Sequence, residues 1–459
     1  MHDWLYSNKM MKIKLILTIQ VLLLFLISCE STSPEIESEK ELPKTESGVS
    51  VGVERYSCRY AWIDIKVPTG GRNIEFVSDL TTEIDTFIYS DTTLFVENLT
   101  PGKNYGITIN CPETEVYIEE TINYEFRTLD TTSHNFSYEI YEFTDGLGNR
   151  LSGVDVIDAN NIWAVGELHK NDTLYNIARW DGANWNIEKA SALFREEYIT
   201  LQLEGIKIFD AEHIWLSGSL PIYGKKDSWE LYSLRDSLEP NISVSIGDGE
   251  RWDEMYLAGR GPTVIKYDHG SWELYDKGTD LRIYDILVSD GDVYCAANSH
   301  SMVRSQILKK AKDKTVFEEI KEFNWDLPEN ELYEKLSGDV LGIWMDENNT
   351  LYSAGLFLYS CINGQWEYME SLSGNYYGNH NVVSERGLFT KITGTASNDM
   401  VVVGDRGTVM HYNGSSWQHI GPGYNSGSNI IYHAVSMEGN TICAVGVNGN
   451  LGYVILLNR

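Results

Sequence analysis

Seven times between Ile162 and Gly446 the chain repeats one five-residue phrase, an apolar run closing on a small residue. The copies are IWAVG (162–166), IWLSG (214–218), MYLAG (255–259), VYCAA (293–297), LYSAG (351–355), MVVVG (400–404) and ICAVG (442–446). Six close on Gly and one on Ala297. Six intervals separate Gly166 from Gly446, a mean period of about 47 residues, which is the length of one small four-stranded sheet. A sheet of that size cannot bury its own faces. Such units are stable only when stacked on copies of themselves.

The first repeat shows the parts. Gly153–Ile157 reads as an inner strand, and Asp158-Ala-Asn-Asn161 as a turn whose Asp and Asn tolerate left-handed backbone. Ile162–Val165 is the second strand, Asn176–Trp180 the third, and Trp185–Ile187 the outer one after Asp181-Gly182. The outer hairpin recurs at His269-Gly270, Asn363-Gly364 and Asn413-Gly414, each followed by a Trp (Trp272, Trp366, Trp417). Asn-Gly or Asp-Gly between apolar runs is a strong hairpin signal. The closing Gly of each phrase fits a place where a Cβ would crowd a neighbouring strand. The repeat resembles the units of WD, BNR and kelch-type β-propellers, and it predicts a seven-bladed propeller over 136–459. The last repeat has Tyr432–Met437, Thr441–Val445 and Leu451–Leu457 but no outer strand. The strand-like run 137–143 is expected to supply it and close the ring, which removes free edges. The boundary around Trp229–Trp252 is the least regular, and a helix is expected near Glu329–Leu336.

Before the repeats the chain changes character twice. Residues 1–28 carry Lys12 and Lys14 ahead of the apolar run Leu15–Ile27, the pattern of a secretory leader that is too short to span a membrane. The run ends Leu26-Ile27-Ser28-Cys29, which resembles the bacterial lipobox. The resemblance implies cleavage before Cys29 and lipidation of its thiol, giving a protein held at the outer membrane by a lipid anchor alone. Residues 29–48 are rich in Glu, Ser and Thr with almost nothing to bury, so they read as a flexible acidic tether. Residues 49–130 alternate short strand-like runs with turn clusters, the pattern of a β-sandwich. Within them Leu99-Thr-Pro101-Gly-Lys-Asn-Tyr105, followed by Phe126-Arg-Thr128, resembles the last half of fibronectin type III modules. In those modules the Tyr occupies the corner before strand F. The position of Trp62 inside its strand departs from that pattern. The fold class expected is therefore all-β: a fibronectin type III-like sandwich followed by the propeller.

Function classes narrow less sharply. With 36 Lys+Arg against 67 Asp+Glu the formal net charge is −31, a surface that repels nucleic acid and anionic lipid. Besides Cys29 there are five cysteines; Cys295 and Cys443 sit inside repeated phrases, and Cys58 and Cys111 lie too far apart in the proposed sandwich to bridge. Free, buried thiols are expected. The many Trp at repeated positions read as packing between sheets, and the Asp/Asn-rich turns at 158–161 and 346–349 as turn chemistry and not calcium loops. His411 and His419 flank one outer hairpin and are expected to face solvent. No nucleophile elbow, phosphate loop or zinc motif is present, and no cofactor or metal is implied. The Ser-x-Asp boxes of sialidase-like propellers are also missing.

Two loops stand out, Gly374–His380 and Gly421–Gly427, beside the Asp405-Arg406-Gly407 turn. Tyr376, Tyr377, His380, Arg406, Tyr424 and Asn425 would share one propeller face, and aromatic faces with amides and one Arg suit a glycan or a protein segment. The expected function is non-enzymatic binding of such a partner. The alternative is a polysaccharide hydrolase or lyase, which requires acidic and basic side chains converging at the propeller channel.

Overall fold

The computed structural model describes residues 14–15, 46–78, 81–145, 148–225, 228–234, 238, 242–259, 263–299, 304–324, 339–369, 388–422 and 428–459. It divides into two compact units, 1–131 and 132–459. Among the described residues every regular element of both units is a β-strand, apart from a single helical residue, Leu234. Residues 329–336, where a helix was expected, lie outside them.

The first unit is two antiparallel sheets. One orders Thr92–Val96, Ala61–Lys66 and Ser50–Tyr56, with the pair Lys14–Leu15 on the outer side of Thr92–Val96. The other orders Thr81–Ile88, Arg72–Ser78, Asn104–Cys111 and Glu120–Arg127. Alternate residues of each strand turn inward, so Ala61, Ile63 and Ile65 meet Ile74, Phe76, Ile107 and Ile109 in one core. On the opposite face of its strand, Trp62 packs on Tyr60 and Phe95 with the Arg55 guanidinium over its ring. The Tyr105 hydroxyl accepts the Thr100 N–H at 2.8 Å and fixes the corner at Leu99–Tyr105.

Among the described residues the second unit contains seven four-stranded antiparallel sheets. Numbered along the chain, sheet one is Arg150–Asp158, Asn161–Lys170, Thr173–Trp180 and Trp185–Glu188 in spatial order. Each repeated phrase is the second strand of its sheet, for example His213–Gly218 in sheet two and Asp399–Gly404 in sheet six. The first strands touch in a closed cycle, sheet one meeting both sheet two and sheet seven, a propeller-like arrangement. Sheet seven takes its fourth strand from Ser137–Phe143, which pairs with Leu451–Asn458 from Asn458↔Ser137 to Gly452↔Phe143. Outer hairpins turn through left-handed residues at His269–Gly270 and Asn363–Gly364. Between sheets one and two lies a further hairpin, Ser191–Phe194 with Glu197–Thr200, that the repeat does not contain.

The phrase is apolar because its strand is covered on both sides. In sheet one Ile162 and Ala164 pack against Cys443 and Val445 of sheet seven, whereas Trp163 and Val165 pack against Ile214 and Leu216 of sheet two. The same alternation links sheets two and three, three and four, and so on round to seven, giving one apolar cluster per interface. Complete burial of one such side chain stabilises by about 1.5–3 kcal/mol. Of the cysteines, Cys295 and Cys443 fill these interfaces; Cys58 and Cys111 are buried too, whereas Cys361, expected to be buried, is half-buried.

The closing Gly has a steric cause. A Cβ on Gly166, Gly218, Gly259, Gly355, Gly404 or Gly446 would lie 1.7–2.4 Å from a backbone carbonyl oxygen at the start of, or just before, the first strand of the same sheet. Only sheet four, with Ala297 opposite Ile283, lacks this approach.

A second closure lies at the opposite ends of these strands. Asp399, nearly buried, is gripped through both oxygens by Arg459, accepts the Thr395 hydroxyl at 2.9 Å, and bonds His411 Nε2 at 2.7 Å. With Nε2–H donated to Asp399, His411 Nδ1 accepts from His134 Nδ1–H at 2.8 Å. Phe136 packs against the His411 ring and under the Arg459 guanidinium. His411 is 0% exposed, so the expectation that it faces solvent fails: it is the centre of a clasp joining residues 132–136, sheet six and Arg459. Burial pushes the Asp399 carboxyl up, but the His411, Arg459 and Thr395 bonds outweigh it and hold it down to about 2. Burial, with the Arg459 charge beside it, lowers His134.

Two outcomes test this architecture. Gly355→Ala is expected to cost about 2 kcal/mol or more in chemical denaturation, and Ala297→Gly only about 1 kcal/mol. Arg459→Ala is expected to cost about 3 kcal/mol at pH 7, because it strands a nearly buried carboxylate. Both clasp groups have depressed folded pKa values. Their stabilisation is therefore complete above pH 6.5, erodes as His134 of the unfolded chain takes up its proton, and erodes again from 3.8 down to about 2 as Asp399 is neutralised. Denaturation midpoints of wild type and variant from pH 8 to pH 2 measure both steps.

Candidate functional site

Arg406 is the one residue of the expected ligand face within the described residues. Tyr376, Tyr377, His380, Tyr424 and Asn425 lie outside them, as does Cys29. Arg406 sits in the turn between the second strand of sheet six and its third, Val409–Tyr412. Its φ is 58° and that of Gly407 is 76°, a left-handed pair that reverses the chain. The turn is bonded within itself by Thr408 N–H to Asp405 O at 3.1 Å. It is bonded outward by Asp405 N–H to Leu388 O at 2.9 Å and Gly407 N–H to Ile430 O at 3.0 Å. The last bond joins it to the first strand of sheet seven, so this turn and the connection into the next sheet share one end of the strands. Burial raises the Asp405 carboxyl, against the Leu388 bond and the Arg406 charge.

The ring of first strands carries the acids and bases that the sequence left scattered. Asp155, Lys207 and Asp248 occupy one repeat position, opposite Trp163, Trp215 and Tyr256. Each carboxylate reaches across to the first strand of the following sheet. Asp155 Oδ2 accepts the Ile208 N–H at 2.7 Å, Asp248 Oδ2 that of Val288 at 2.8 Å, and Asp285 Oδ2 that of Ile343 at 3.0 Å. The Ser436 hydroxyl does the same for Val156 at 3.1 Å, across the seam between sheets seven and one. The remaining oxygens of Asp248 and Asp285 meet amines, Lys207 Nζ 2.7 Å from Asp248 Oδ1 and Lys391 Nζ 2.5 Å from Asp285 Oδ1, whereas Asp155 Oδ1 accepts the Ser436 hydroxyl at 3.4 Å.

Enclosure decides the charge of this ring. Burial pushes Asp155 up to about 6 despite the Ile208 bond and the Lys207 charge, and it raises Asp285 as well. Asp248 in turn raises Lys207. Carboxylates and amines thus do converge here, but their atoms are engaged by backbone N–H groups and by one another. A general acid or base needs an oxygen that a reacting group can reach. What this arrangement does chemically is tie neighbouring sheets together. Asp346 is engaged likewise: its carboxylate accepts the Asn348 and Thr350 N–H groups and the Tyr352 hydroxyl, which is turn chemistry, and burial raises it to about 6.

A cleft of about 320 Å³ opens between sheets seven and one, where the ring closes. The end of the closing strand, the long hairpin of sheet one and Trp185 line it. Among the described residues no group of His, Cys, Asp or Glu is placed to hold a metal ion, and no helix is long and apolar enough to cross a membrane.

No protein-family profile matches the sequence, and no curated protein matches it. Among solved structures it is similar to YCF48 bound to D1 peptide, with 13% identity, a TM-score of 0.49, and coverage of 70% of this chain and 97% of that one. It is similar to the WD40 β-propeller domain of Doa1 at 14% identity and TM-score 0.47, covering 71% and 98%. It is also similar to the extracellular domain of a one-component system protein of B. thetaiotaomicron, at 12% identity and TM-score 0.45, covering 70% and 40%.

Because the raised Asp155 is ionised only at a cost, folded protein loses stability as pH climbs from 3.8 to about 6. Asp155→Asn keeps an acceptor for the Ile208 N–H and removes that cost. The melting temperature of the variant relative to wild type is expected to rise across this interval and level off above it. A difference independent of pH would refute the assignment.

Proposed function

We propose that this chain is an exported, lipid-anchored binding protein. In this reading Cys29 carries the lipid at the outer membrane, 29–48 is a tether, 49–130 is a fibronectin type III-like module, and 136–459 is a seven-bladed propeller closed by 137–143. The Tyr105–Thr100 corner bond and the contribution of three strands of 49–130 to one sheet and four to the other support the module. The seven sheets with a closed cycle of first strands support the blade count.

The function is non-enzymatic recognition of a protein or glycan through the face that bears Arg406, with Tyr376, Tyr377, His380, Tyr424 and Asn425 contributed by the adjoining loops. The observation that carries it is the Arg406 turn, held in left-handed backbone and bonded to the neighbouring sheet through Gly407. A turn fixed in this way leaves little backbone ordering to be done on binding. The engaged carboxylates of the first-strand ring favour binding over turnover.

A glycan array read beside a reducing-sugar assay separates the two activities; binding without released sugar is the expected result, and sugar release would overturn it. Arg406→Ala combined with Tyr376→Ala and Tyr377→Ala is expected to weaken the interaction by about ten-fold or more, with thermal unfolding unchanged. Cys29→Ala is expected to abolish metabolic incorporation of an alkyne fatty acid and to release the protein from the membrane fraction. Incorporation that persists in the variant refutes the anchor.

A further inference from the structure

We infer that the cleft at the ring-closure seam is a binding site for a neutral mono- or disaccharide, separate from the Arg406 face. Its walls come from three elements. Glu142 and Phe143 end the closing strand and Asp145 follows; His169 and Lys170 end the second strand of sheet one; Trp185 opens the fourth. The second strand and the third run on as a long hairpin, reversing at Asn171–Asp172 with φ of 50° and 57°.

The walls are held at a fixed distance. Asn149, only 2% exposed, donates through Nδ2 to Phe143 O at 2.9 Å and accepts the His169 N–H through Oδ1 at 2.7 Å. Both ends of that amide are thus spent on bridging one wall to the other. The cleft exists before any ligand arrives, and its volume falls at the lower end of the range for small-molecule sites, about 300–1,000 Å³.

Lining chemistry selects the class. Each charged or polar titratable side chain already has a partner: Lys170 Nζ lies 3.6 Å from Asp145, His169 Nε2 is hydrogen-bonded to Glu167 at 3.1 Å, and Glu142 accepts from the Asn448 amide at 3.0 Å. A charged ligand would have to break such a pair to gain its own, and an anionic one would approach a chain of net charge −31. Hydroxyl groups are different, because each both donates and accepts and so bridges an ion pair without displacing either member. The apolar part is aromatic. Trp185 is half-buried beside Phe143, their centroids 6.3 Å apart, and is backed by Trp180 at 5.7 Å. A half-buried indole backed by other rings is a platform for the C–H face of a sugar.

The test uses the full chain with maltose, cellobiose and N,N′-diacetylchitobiose, and digalacturonic acid as the charged comparator. Saturation-transfer NMR and calorimetry are read on wild type, Trp185→Ala, Trp185→Phe, Lys170→Ala and Arg406→Ala. At least one neutral disaccharide is expected to saturate, with affinity reduced about ten-fold or more in Trp185→Ala and several-fold in Lys170→Ala. Trp185→Phe, which keeps a ring, is expected to retain most of the binding and guards against loss of fold in the alanine variant. Arg406→Ala is expected to leave it unchanged. The inference is overturned if no neutral sugar saturates, if the anionic comparator binds more tightly, or if Lys170→Ala and Trp185→Ala bind like wild type. Loss of disaccharide binding in Arg406→Ala would also overturn it, by placing the sugar on the other face. Failure of the Arg406-face reading alone leaves the Trp185 and Lys170 results intact, so the two proposals fail separately.

Discussion

The second unit depends on one condition, that the second strand of each sheet be apolar on both faces. Most strands of antiparallel sheets need one apolar face. Here Val401 and Val403 serve the interface with sheet seven while Met400 and Val402 serve that with sheet five. Neither set is sufficient alone, since a sheet covered on one side would expose the other. Stability therefore belongs to the closed cycle, and loss of packing at one interface is felt by two sheets. The Gly at the end of the phrase follows from the same crowding, because the first strand of the sheet starts against it.

What the sequence revealed and what it hid divide along physical lines. The second strands are legible because burial on both faces leaves no freedom for polar residues, and the outer hairpins because Asn363-Gly364 and His269-Gly270 need left-handed backbone. The hairpin at Ser191–Thr200 left no such trace. Its turn residues, Arg195 and Glu196, take φ of 49° and 74° with neither Gly nor Asn to announce them. His411 looked exposed because it flanks an outer turn; its partner His134 lies 277 residues away and nothing local forecasts the pairing.

The acids and bases of the first strands were hidden for another reason. Asp155, Lys207 and Asp248 each stand seven residues before the phrase of their own sheet, so aligning the repeats brings them to one position. Asp285 and Lys391 stand at a different repeat position, opposite the fourth residue of the phrase (Ala296 and Val403), where sheets one and two have Gly153 and Gly205. The expected Tyr and amide loops were visible as composition, and of that group only Arg406 has a described setting.

The closing strand has a consequence for how the chain is made. Ser137 bonds the carbonyl of Asn458, a partner 321 residues further along. A chain delivered from its N-terminus must carry Ser137–Phe143 unpaired through the synthesis of every other sheet, and contacts of such separation are slow to form. The strand spends that interval as a bare edge bearing Tyr138 and Ile140, the kind of surface that invites pairing with other chains. Glu139 and Glu142, interleaved with those side chains, supply the charge that opposes such pairing while the partner strand is still missing.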